Sequence, residues 1–283
     1  MNIQKVFVVG AGQMGSGIAQ TAAMSGCAVG LYDLTAEIAE KSKGKIAAGL
    51  GRQVEKGRFT REAADAALAL ITPTGALEDA ADCDLVIEAA SENPAVKLEL
   101  FGKLDALLRP QAILASNTSS ISITTLASAT KRPAQVAGMH FFNPVPAMKL
   151  VEVVRGLLTS DDTAEALRSL AERFGKTPIV CKDSPGFVVN RLLDPMLNEA
   201  AYLVMEGVAA PEEIDKAMMN GCNHPMGPLA LLDLIGIDVI YSIMQVFQEY
   251  TGDQKYRPCP LLRQMVDAGL LGRKTGKGFY EYG

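Results

Sequence analysis

A glycine-rich turn near the start of the chain limits the possible fold more than any other feature of this sequence. The apolar, β-branched run Lys5–Val9 leads directly into Gly10-Ala11-Gly12-Gln13-Met14-Gly15, and helical periodicity follows from Gly15 to Ser25. In such a strand–turn–helix unit, the first two glycines allow a tight turn and close approach of the backbone to a pyrophosphate, while the third lets helix and strand pack closely. The motif predicts a dinucleotide site with the phosphates facing the helix N-terminus.

An acidic residue after the next strand indicates which dinucleotide is bound. The strand-like run Ala28–Tyr32 ends at Asp33, and no basic residue adjoins that acid in the sequence. A carboxylate at this place accepts hydrogen bonds from the adenosine ribose, and its charge repels a 2′-phosphate. We therefore expect NAD as the cofactor in preference to NADP.

The order of strands and helices predicts the fold class. Strand-like runs recur at 85–89, 112–115 and 136–142 with helical segments between them, which predicts a parallel, doubly wound sheet of the Rossmann type. Strand patterns disappear after Pro185, where long apolar-periodic stretches at 187–205 and 229–250 take their place. We predict an α/β chain with a sheet domain over residues 1–183 and an all-helical domain over residues 184–283.

Two further strand ends carry polar side chains at the edge where open sheets bind ligands. One run leads into Ser91-Glu92-Asn93, and the next leads into Ser116-Asn117-Thr118-Ser119. Either Ser119 or Ser120 is a candidate N-cap for the segment that follows, and the other is a candidate to face a substrate.

Proton-transfer candidates near neutral pH are few, because the chain has only two histidines, His140 and His224. His140 lies in a strand-like run that is followed by Asn143-Pro144-Val145-Pro146 and by a second run over 149–154. In a hairpin centred on Pro146, Glu152 lies opposite His140. A carboxylate on one imidazole nitrogen lets the other nitrogen remove the proton of an alcohol during its oxidation. The alternative is a structural histidine paired with a surface glutamate.

Charge and cysteine content exclude several classes of function. A net charge of −5 argues against general binding to nucleic acids, which requires a surplus of basic residues. The five cysteines are odd in number and have no close pair, which fits neither a disulfide framework nor a metal site. No secretory signal and no apolar run of membrane-spanning length is recognised. We expect a cytoplasmic protein that binds no metal, nucleic acid or membrane.

Four motifs spread over nearly the whole chain resemble the short-chain L-3-hydroxyacyl-CoA dehydrogenase family, especially its bacterial 3-hydroxybutyryl-CoA members. They are Gly10-Ala11-Gly12-Gln13-Met14-Gly15, Ser116-Asn117-Thr118-Ser119-Ser120, His140-Phe141-Phe142-Asn143-Pro144-Val145-Pro146 and Asp183-Ser184-Pro185-Gly186-Phe187-Val188-Val189-Asn190-Arg191. The resemblance implies reversible, NAD-dependent conversion of (S)-3-hydroxyacyl-CoA to 3-ketoacyl-CoA. It also implies a homodimer formed through the helical domain.

The same resemblance implies a role for several residues that match a residue of the family. His140 would be the general base and Glu152 its partner, while Ser119 and Asn190 would hydrogen-bond the reacting substrate. The other matched residues would contact NAD, and they are Glu92, Lys97, Asn117, Asn143 and Lys274.

A basic segment is a candidate site for the phosphates of coenzyme A. Residues 41–61 carry seven lysines and arginines against one acid, Glu55, and within them Arg52 and Lys56 are the candidate contacts. Lys56 matches a coenzyme A contact of the family, whereas Gly49 stands where the family often has serine, so one contact is expected to be missing. The alternative is a solvated helix face.

Two other functions remain open at this point. Dehydrogenases of free 3-hydroxy acids such as hydroxyisobutyrate share the architecture, but they rely on a catalytic lysine, whereas this chain has a candidate His–Glu pair. A non-enzymatic NAD-binding protein is the second alternative, because the same family resembles a lens crystallin and a fold does not guarantee chemistry.

Overall fold

The computed structural model describes residues 3–283, which divide into two compact units. The first unit ends at Ser184, and the second is Pro185–Gly283. Every strand of the described chain lies in the first unit. The strands are β1 Lys5–Val9, β2 Ala28–Tyr32, β3 Ile71–Thr74, β4 Leu85–Glu88, β5 Ile113–Ser116, β6 Val136–Phe141, β7 Leu150–Arg155 and β8 Thr177–Lys182. The helices of this unit are α1 Gln13–Met24, α2 Ala36–Glu55, α3 Arg61–Ala69, α4 Pro94–Leu107, α5 Ile123–Ala127 and α6 Asp161–Arg173.

The eight strands form one sheet in the order β3-β2-β1-β4-β5-β6-β7-β8. Every neighbouring pair is parallel except β6 and β7, which are antiparallel. The strand order reverses at β1, which has β2 on one side and β4 on the other. In open sheets, ligands bind at such a switch point beside the carboxyl ends of the strands. The predicted doubly wound Rossmann-type sheet is confirmed.

The central strands explain why the sheet could be recognised from the sequence. Val6–Val9 of β1 and Leu85–Ile87 of β4 are at most 2% exposed. A strand that is covered on both faces is a continuous apolar run, as these are. By contrast, β8 was not among the predicted strands: it pairs only with β7 at the sheet edge and is half-buried. Its Pro178 is tolerated there because an edge strand has one side without a partner.

The second unit is helical, as predicted, with two isolated β-bridges near its end. Its helices are α7 Val189–Met205, α8 Pro211–Gly221, α9 Pro228–Ile235, α10 Ile237–Thr251 and α11 Pro260–Asp267. The apolar stretch 229–250 is therefore two helices, whose axes differ by 95°. Gly236 separates them with a φ of +116°, a conformation that L side chains rarely adopt. Among the described helices, none alone is long and apolar enough to cross a membrane, although α9 and α10 together reach that length and apolarity.

A carboxylic acid lies inside this second unit. Asp194 of α7 is 2% exposed, and its Oδ2 makes no hydrogen bond to any described residue. Burial raises the pKa of its carboxyl from 3.8 to about 7, because an ionised group loses its hydration there.

Candidate active site

The glycine loop follows β1 at the switch point of the sheet. Gly10 has a φ of +101°, and a Cβ on it would lie 2.6 Å from the carbonyl oxygen of Ala89. A Cβ on Gly15 would lie 1.7 Å from the Gly10 oxygen, so only glycine fits at both positions. Gly12 has open space in front of it and is the N-cap of α1, which begins at Gln13 and not at the predicted Gly15. The loop therefore presents backbone N–H groups at a helix N-terminus, as a pyrophosphate requires.

A cavity of about 520 Å³ adjoins this loop, and Asp33 lines it. Oδ2 of Asp33 accepts a hydrogen bond from the backbone N–H of Ala11, and Oδ1 accepts one from that of Leu34, both at 2.8 Å. Each carboxylate oxygen keeps a lone pair for a ribose hydroxyl. The glycine loop, the cavity and this acid together fit the adenosine half of NAD.

A buried ion pair lies at the end of the neighbouring strand β4. The ammonium of Lys97 is 2.6 and 2.7 Å from the two oxygens of Glu88, and the two side chains are 1% and 0% exposed. Glu88 also accepts hydrogen bonds from Ser116 Oγ at 2.6 Å and from the N–H of Ala90 at 2.7 Å. The resemblance implied an NAD contact for Lys97, and the structure buries its ammonium against protein carboxylates.

Glu92 connects this ion pair to the loop after β5. One of its oxygens lies 3.3 Å from the ammonium of Lys97, and the other accepts hydrogen bonds from Thr118, Ser119 and Ser120. Burial would raise the pKa of Glu92, but attraction by Lys97 and the three hydrogen-bonding residues outweigh it and lower the pKa. Glu92 therefore stays ionised and fixes the turn that carries Ser119.

The predicted helix cap at Ser119 or Ser120 is wrong. Ser122 caps α5 by accepting a hydrogen bond from the N–H of Thr125. Thr118 accepts from the N–H groups of Ser120 and Ile121 instead. The hydroxyl of Ser119 is half-buried and makes no hydrogen bond within the described residues. This hydroxyl is consequently available to a ligand.

His140 and Glu152 face each other across β6 and β7, which confirms the predicted register of the hairpin. Oε2 of Glu152 accepts a hydrogen bond from His140 Nδ1 at 2.7 Å. His140 is 6% exposed and Glu152 is fully buried. The alternative of a structural histidine required a glutamate at the surface, and the carboxylate of Glu152 is not there. The imidazole also packs against the ring of Phe142, with 4.6 Å between the ring centroids.

Two hydrogen bonds of amide side chains near these strands position neighbouring segments. Asn117 Oδ1 accepts a hydrogen bond from the N–H of Phe141 at 2.8 Å, which joins the loop after β5 to the end of β6. Gln13 Nε2 donates to Asn143 Oδ1 at 2.9 Å, which joins the start of α1 to the loop after β6. Within the first unit, the structure therefore brings the predicted residues of the glycine loop, β5 and β6 together at one edge of the sheet.

The basic segment covers most of α2 and the loop that follows it. Arg52 lies in the last turn of α2, Lys56 is its C-cap, and both are exposed. None of the seven basic residues forms an ion pair with an acid of the described chain, although Lys43 donates to the carbonyl of Ile71. Lys45 lines a second cavity, of about 360 Å³, together with Gly12 and Gln13. Positive charge is thus left uncompensated beside the glycine loop.

The remaining predicted residues belong to the second unit. Asn190 lies in the first turn of α7 and is half-buried. Lys274 follows Gly272 in a short 3-10 helix and pairs with Asp238 in the first turn of α10. Among residues 3–283, no group of three or more His, Cys, Asp or Glu side chains is placed to hold a metal ion.

Sequence reasoning missed three charged residues of this region. In the sequence, Glu88 looks like the polar end of an apolar strand. No local sequence pattern indicates that it is buried with Lys97. Glu99 and Lys103 line the cavity beside Asp33, although they lie on α4, far from Asp33 in the sequence. The spacing of 96, 99, 100 and 103 along one helix face is the only feature that could have indicated a shared surface.

Comparison with known families gives two matches that together extend over nearly the whole chain. Residues 5–184 match the NAD binding domain of 3-hydroxyacyl-CoA dehydrogenase. Residues 186–282 match the C-terminal domain of 3-hydroxyacyl-CoA dehydrogenase.

Individual relatives are similar over their full lengths. A probable 3-hydroxybutyryl-CoA dehydrogenase of Deinococcus radiodurans is 57% identical over 98% of this chain and 100% of its own. One of Bacillus subtilis is 55% identical over 100% of this chain and 98% of its own. The crystal structure of (S)-3-hydroxybutyryl-CoA dehydrogenase from Ralstonia eutropha has a TM-score of 0.98 at 49% identity and covers 100% of both chains.

Proposed function

The chain belongs to the 3-hydroxyacyl-CoA dehydrogenase family, and we propose that it interconverts (S)-3-hydroxybutyryl-CoA and acetoacetyl-CoA with the His140–Glu152 pair as general base. It is an oxidoreductase that oxidises 3-hydroxyacyl-CoA with NAD. The observation that carries the proposed mechanism is the buried hydrogen bond of 2.7 Å between His140 Nδ1 and Glu152 Oε2.

This hydrogen bond prepares His140 to accept a proton. An ionised carboxylate only accepts hydrogen bonds, so the neutral imidazole carries its proton on Nδ1 and its lone pair on Nε2. Nε2 removes the proton of the 3-hydroxyl as the C–O single bond becomes a carbonyl. Glu152 then stabilises the imidazolium, and its complete burial strengthens that attraction. In the reductive direction His140 returns the proton to the oxygen.

When bound, NAD⁺ supplies the acceptor for the hydride that leaves C3 of the substrate. The residues of the first unit bind and orient it. The backbone at Gly10, Gly12, Gln13, Met14 and Gly15 cradles the pyrophosphate, and Asp33 accepts from the adenosine ribose. Asn117 and Asn143 contact the cofactor at the ends of β5 and β6. Lys97 acts through Glu88 and Glu92, because its ammonium is bonded to both carboxylates.

Ser119 hydrogen-bonds the reacting substrate, and the family resemblance gives Asn190 the same kind of role. The support for Ser119 is its fixed backbone, held by Glu92, together with a hydroxyl that makes no hydrogen bond within residues 3–283. The support for Asn190 is the motif Asp183–Arg191 in which it lies, and the support for a cofactor contact by Lys274 is its match to a family NAD contact.

The coenzyme A part of the substrate binds the basic segment. Arg52 and Lys56 are exposed, and neither pairs with a carboxylate of the described chain, so each can bind a phosphate without breaking an ion pair. Because Gly49 has no hydroxyl to offer, the basic side chains alone bind the coenzyme A phosphates at this segment.

The second unit, Pro185–Gly283, contributes to substrate binding and forms a homodimer. The support for the dimer is six large apolar side chains on this unit, each at least 42% exposed, which a partner could cover. They are Leu192, Met205, Val208, Met219, Leu234 and Tyr250. The location is cytoplasmic, in agreement with five cysteines that form no disulfide. Size-exclusion chromatography with light scattering measures the molar mass and so tests the dimer. The mass of a monomer at micromolar concentration would contradict it.

The first experiment compares acetoacetyl-CoA with free acetoacetate as oxidants of NADH, followed by the loss of NADH absorbance. We expect rapid oxidation with the thioester alone. Turnover of the free acid alone would favour a 3-hydroxy-acid dehydrogenase, and binding of NADH without any turnover would favour the non-enzymatic alternative. Repeating the assay with NADPH measures how strongly NAD is preferred.

A further inference from the structure

The cavity beside Asp33 has a second wall, which α4 provides. Val96, Glu99, Leu100 and Lys103 line it, and their spacing of three and four residues puts them on one face of the helix. The glycine loop and the end of β2 form the opposite side, so the cavity lies where the adenosine ribose of the cofactor is expected.

Three charged side chains line this cavity. Asp33 is one of them, and its neighbour Leu34 is apolar and 81% exposed. Lys103 is the one basic side chain among the described residues of the lining. Its ammonium lies 2.6 Å from Oε1 of Glu99, one helical turn before it. The cavity therefore contains a cation that is already paired.

Both members of this pair remain charged at neutral pH. The hydrogen bond between them, followed by their mutual attraction, lowers the pKa of Glu99 and raises the pKa of Lys103. Tyr32, which precedes Asp33 and also lines the cavity, adds a smaller increase to the pKa of Lys103. Because Lys103 lines the same cavity as Tyr32 and Asp33, its ammonium can act on a ligand that binds at the end of β2.

We propose that Glu99 is a second determinant of the preference for NAD over NADP, which acts by neutralising Lys103. A 2′-phosphate needs a cation beside the ribose, and enzymes that use NADP usually supply one. This chain has such a cation but couples it to an acid, while Asp33 repels the phosphate directly. The inference rests on the proposed placement of the adenosine ribose at Asp33.

The expected size of the effect is moderate, because the pair is exposed. The side chains of Lys103 and Glu99 are 61% and 68% exposed, and water screens charges in such positions. Releasing one ammonium should strengthen binding of a 2′-phosphate by about 3–10-fold, and added salt should reduce that gain.

The test uses Glu99→Gln, which keeps the side-chain shape and removes the charge. Calorimetric dissociation constants are measured for 2′,5′-ADP and 5′-AMP, which differ only in the 2′-phosphate, and the ratio of kcat/KM for NADPH and NADH is measured alongside. We expect tighter binding of 2′,5′-ADP, unchanged binding of 5′-AMP and a higher ratio for NADPH. Glu213→Gln is the matched control, since it breaks an equivalent exposed pair with Lys216 in the second unit.

A double variant identifies the group that is released. In Glu99→Gln/Lys103→Gln the gain for 2′,5′-ADP should disappear. The proposal is overturned if Glu99→Gln leaves the binding of 2′,5′-ADP unchanged, or if Lys103→Gln alone weakens 5′-AMP, because Lys103 would then serve NAD itself. The nucleotide measurements need no turnover, so they remain informative even if acetoacetyl-CoA is not a substrate.

Discussion

The carboxylate of Asp33 is tied to the glycine loop, because it accepts a hydrogen bond from the backbone N–H of Ala11 at 2.8 Å. The acid that would select the ribose and the loop that would hold the pyrophosphate therefore keep a fixed spacing. A dinucleotide that used both points would meet a single preformed surface, which would reduce the entropy lost on binding.

Replacing Asp33 with alanine should weaken binding of NADH much more than binding of NADPH. The change removes a charged acceptor from the ribose, at a cost of about tenfold or more in affinity, and it also removes repulsion of the 2′-phosphate. Fluorescence titration of both cofactors measures the ratio of dissociation constants. Asp65→Ala, an exposed acid on α3, is the control. An unchanged ratio would mean that ribose selection lies elsewhere.

His140→Gln should bind NADH normally and lose most of its turnover. Loss of a general base typically reduces the rate by about 10²–10⁴-fold. Steady-state kinetics with acetoacetyl-CoA, together with an NADH titration, separate chemistry from binding. His224→Gln replaces the only other histidine and should retain activity. A fully active His140 variant would remove this residue from the mechanism.

Glu152→Gln should lower kcat while the KM for acetoacetyl-CoA changes little. An amide can donate to Nδ1 as well as accept from it, so glutamine no longer fixes the tautomer of His140 or stabilises its imidazolium. The same kind of replacement in comparable triads lowers kcat by up to about 10⁴-fold. A fall in kcat without a matching change in KM distinguishes this role in orienting His140 from a general loss of structure. Equal losses in cofactor binding, substrate binding and thermal stability would instead indicate that the buried glutamate only supports the fold.

Much of this site was predictable because its signatures are local. The glycine turn, the acid after β2 and the proline-centred hairpin each occupy a short stretch, so spacing alone placed His140 opposite Glu152. The break at Gly236 was missed because apolar residues continue on both sides of it. Lys103 was missed because only the parallel sheet brings α4 beside Asp33. The cap at Ser122 was missed because several serines in succession could each serve.

Replacing both Arg52 and Lys56 with alanine should raise the KM for acetoacetyl-CoA and leave the KM for acetoacetyl-pantetheine unchanged. The second thioester lacks the nucleotide phosphates, so it cannot use these charges. Each phosphate contact in partly screened surroundings is worth about 3–10-fold, and the difference should shrink with added salt. Lys131→Ala, an exposed lysine elsewhere in the first unit, is the control. Equal effects on both thioesters would exclude a phosphate site here.

Asp194→Asn should stabilise the second unit at neutral and alkaline pH. The pKa of Asp194 is raised from 3.8 in the unfolded chain to about 7 in the folded protein. The stability that its protonated carboxyl contributes is therefore fully present below pH 3.8 and is lost as the pH rises from there to about 7. The asparagine variant escapes this loss, which amounts to about 2–4 kcal/mol in the free energy of unfolding. Denaturation at about pH 4.5 and about pH 8, at one protein concentration, measures it.

The control for this experiment is Glu249→Gln, because Glu249 is an exposed acid of the same unit. Its stability difference from the wild type should not change with pH. A difference for Asp194→Asn that is the same at both pH values would show that the carboxyl does not titrate in this interval.

The pairing of Glu88 with Lys97 also restricts how this sequence can change over evolutionary time. Loss of Lys97 alone would leave the carboxylate of Glu88 inside the protein without a cation, and loss of Glu88 alone would leave the ammonium of Lys97 with only the more distant Glu92. Breaking such a buried pair costs about 3–5 kcal/mol, which is a large part of the stability of a domain. Two apolar residues of similar volume could replace the pair, but only if both were exchanged. Single mutations at these positions therefore lead through a poorly folded intermediate, and descendants of this chain should keep both residues or lose both.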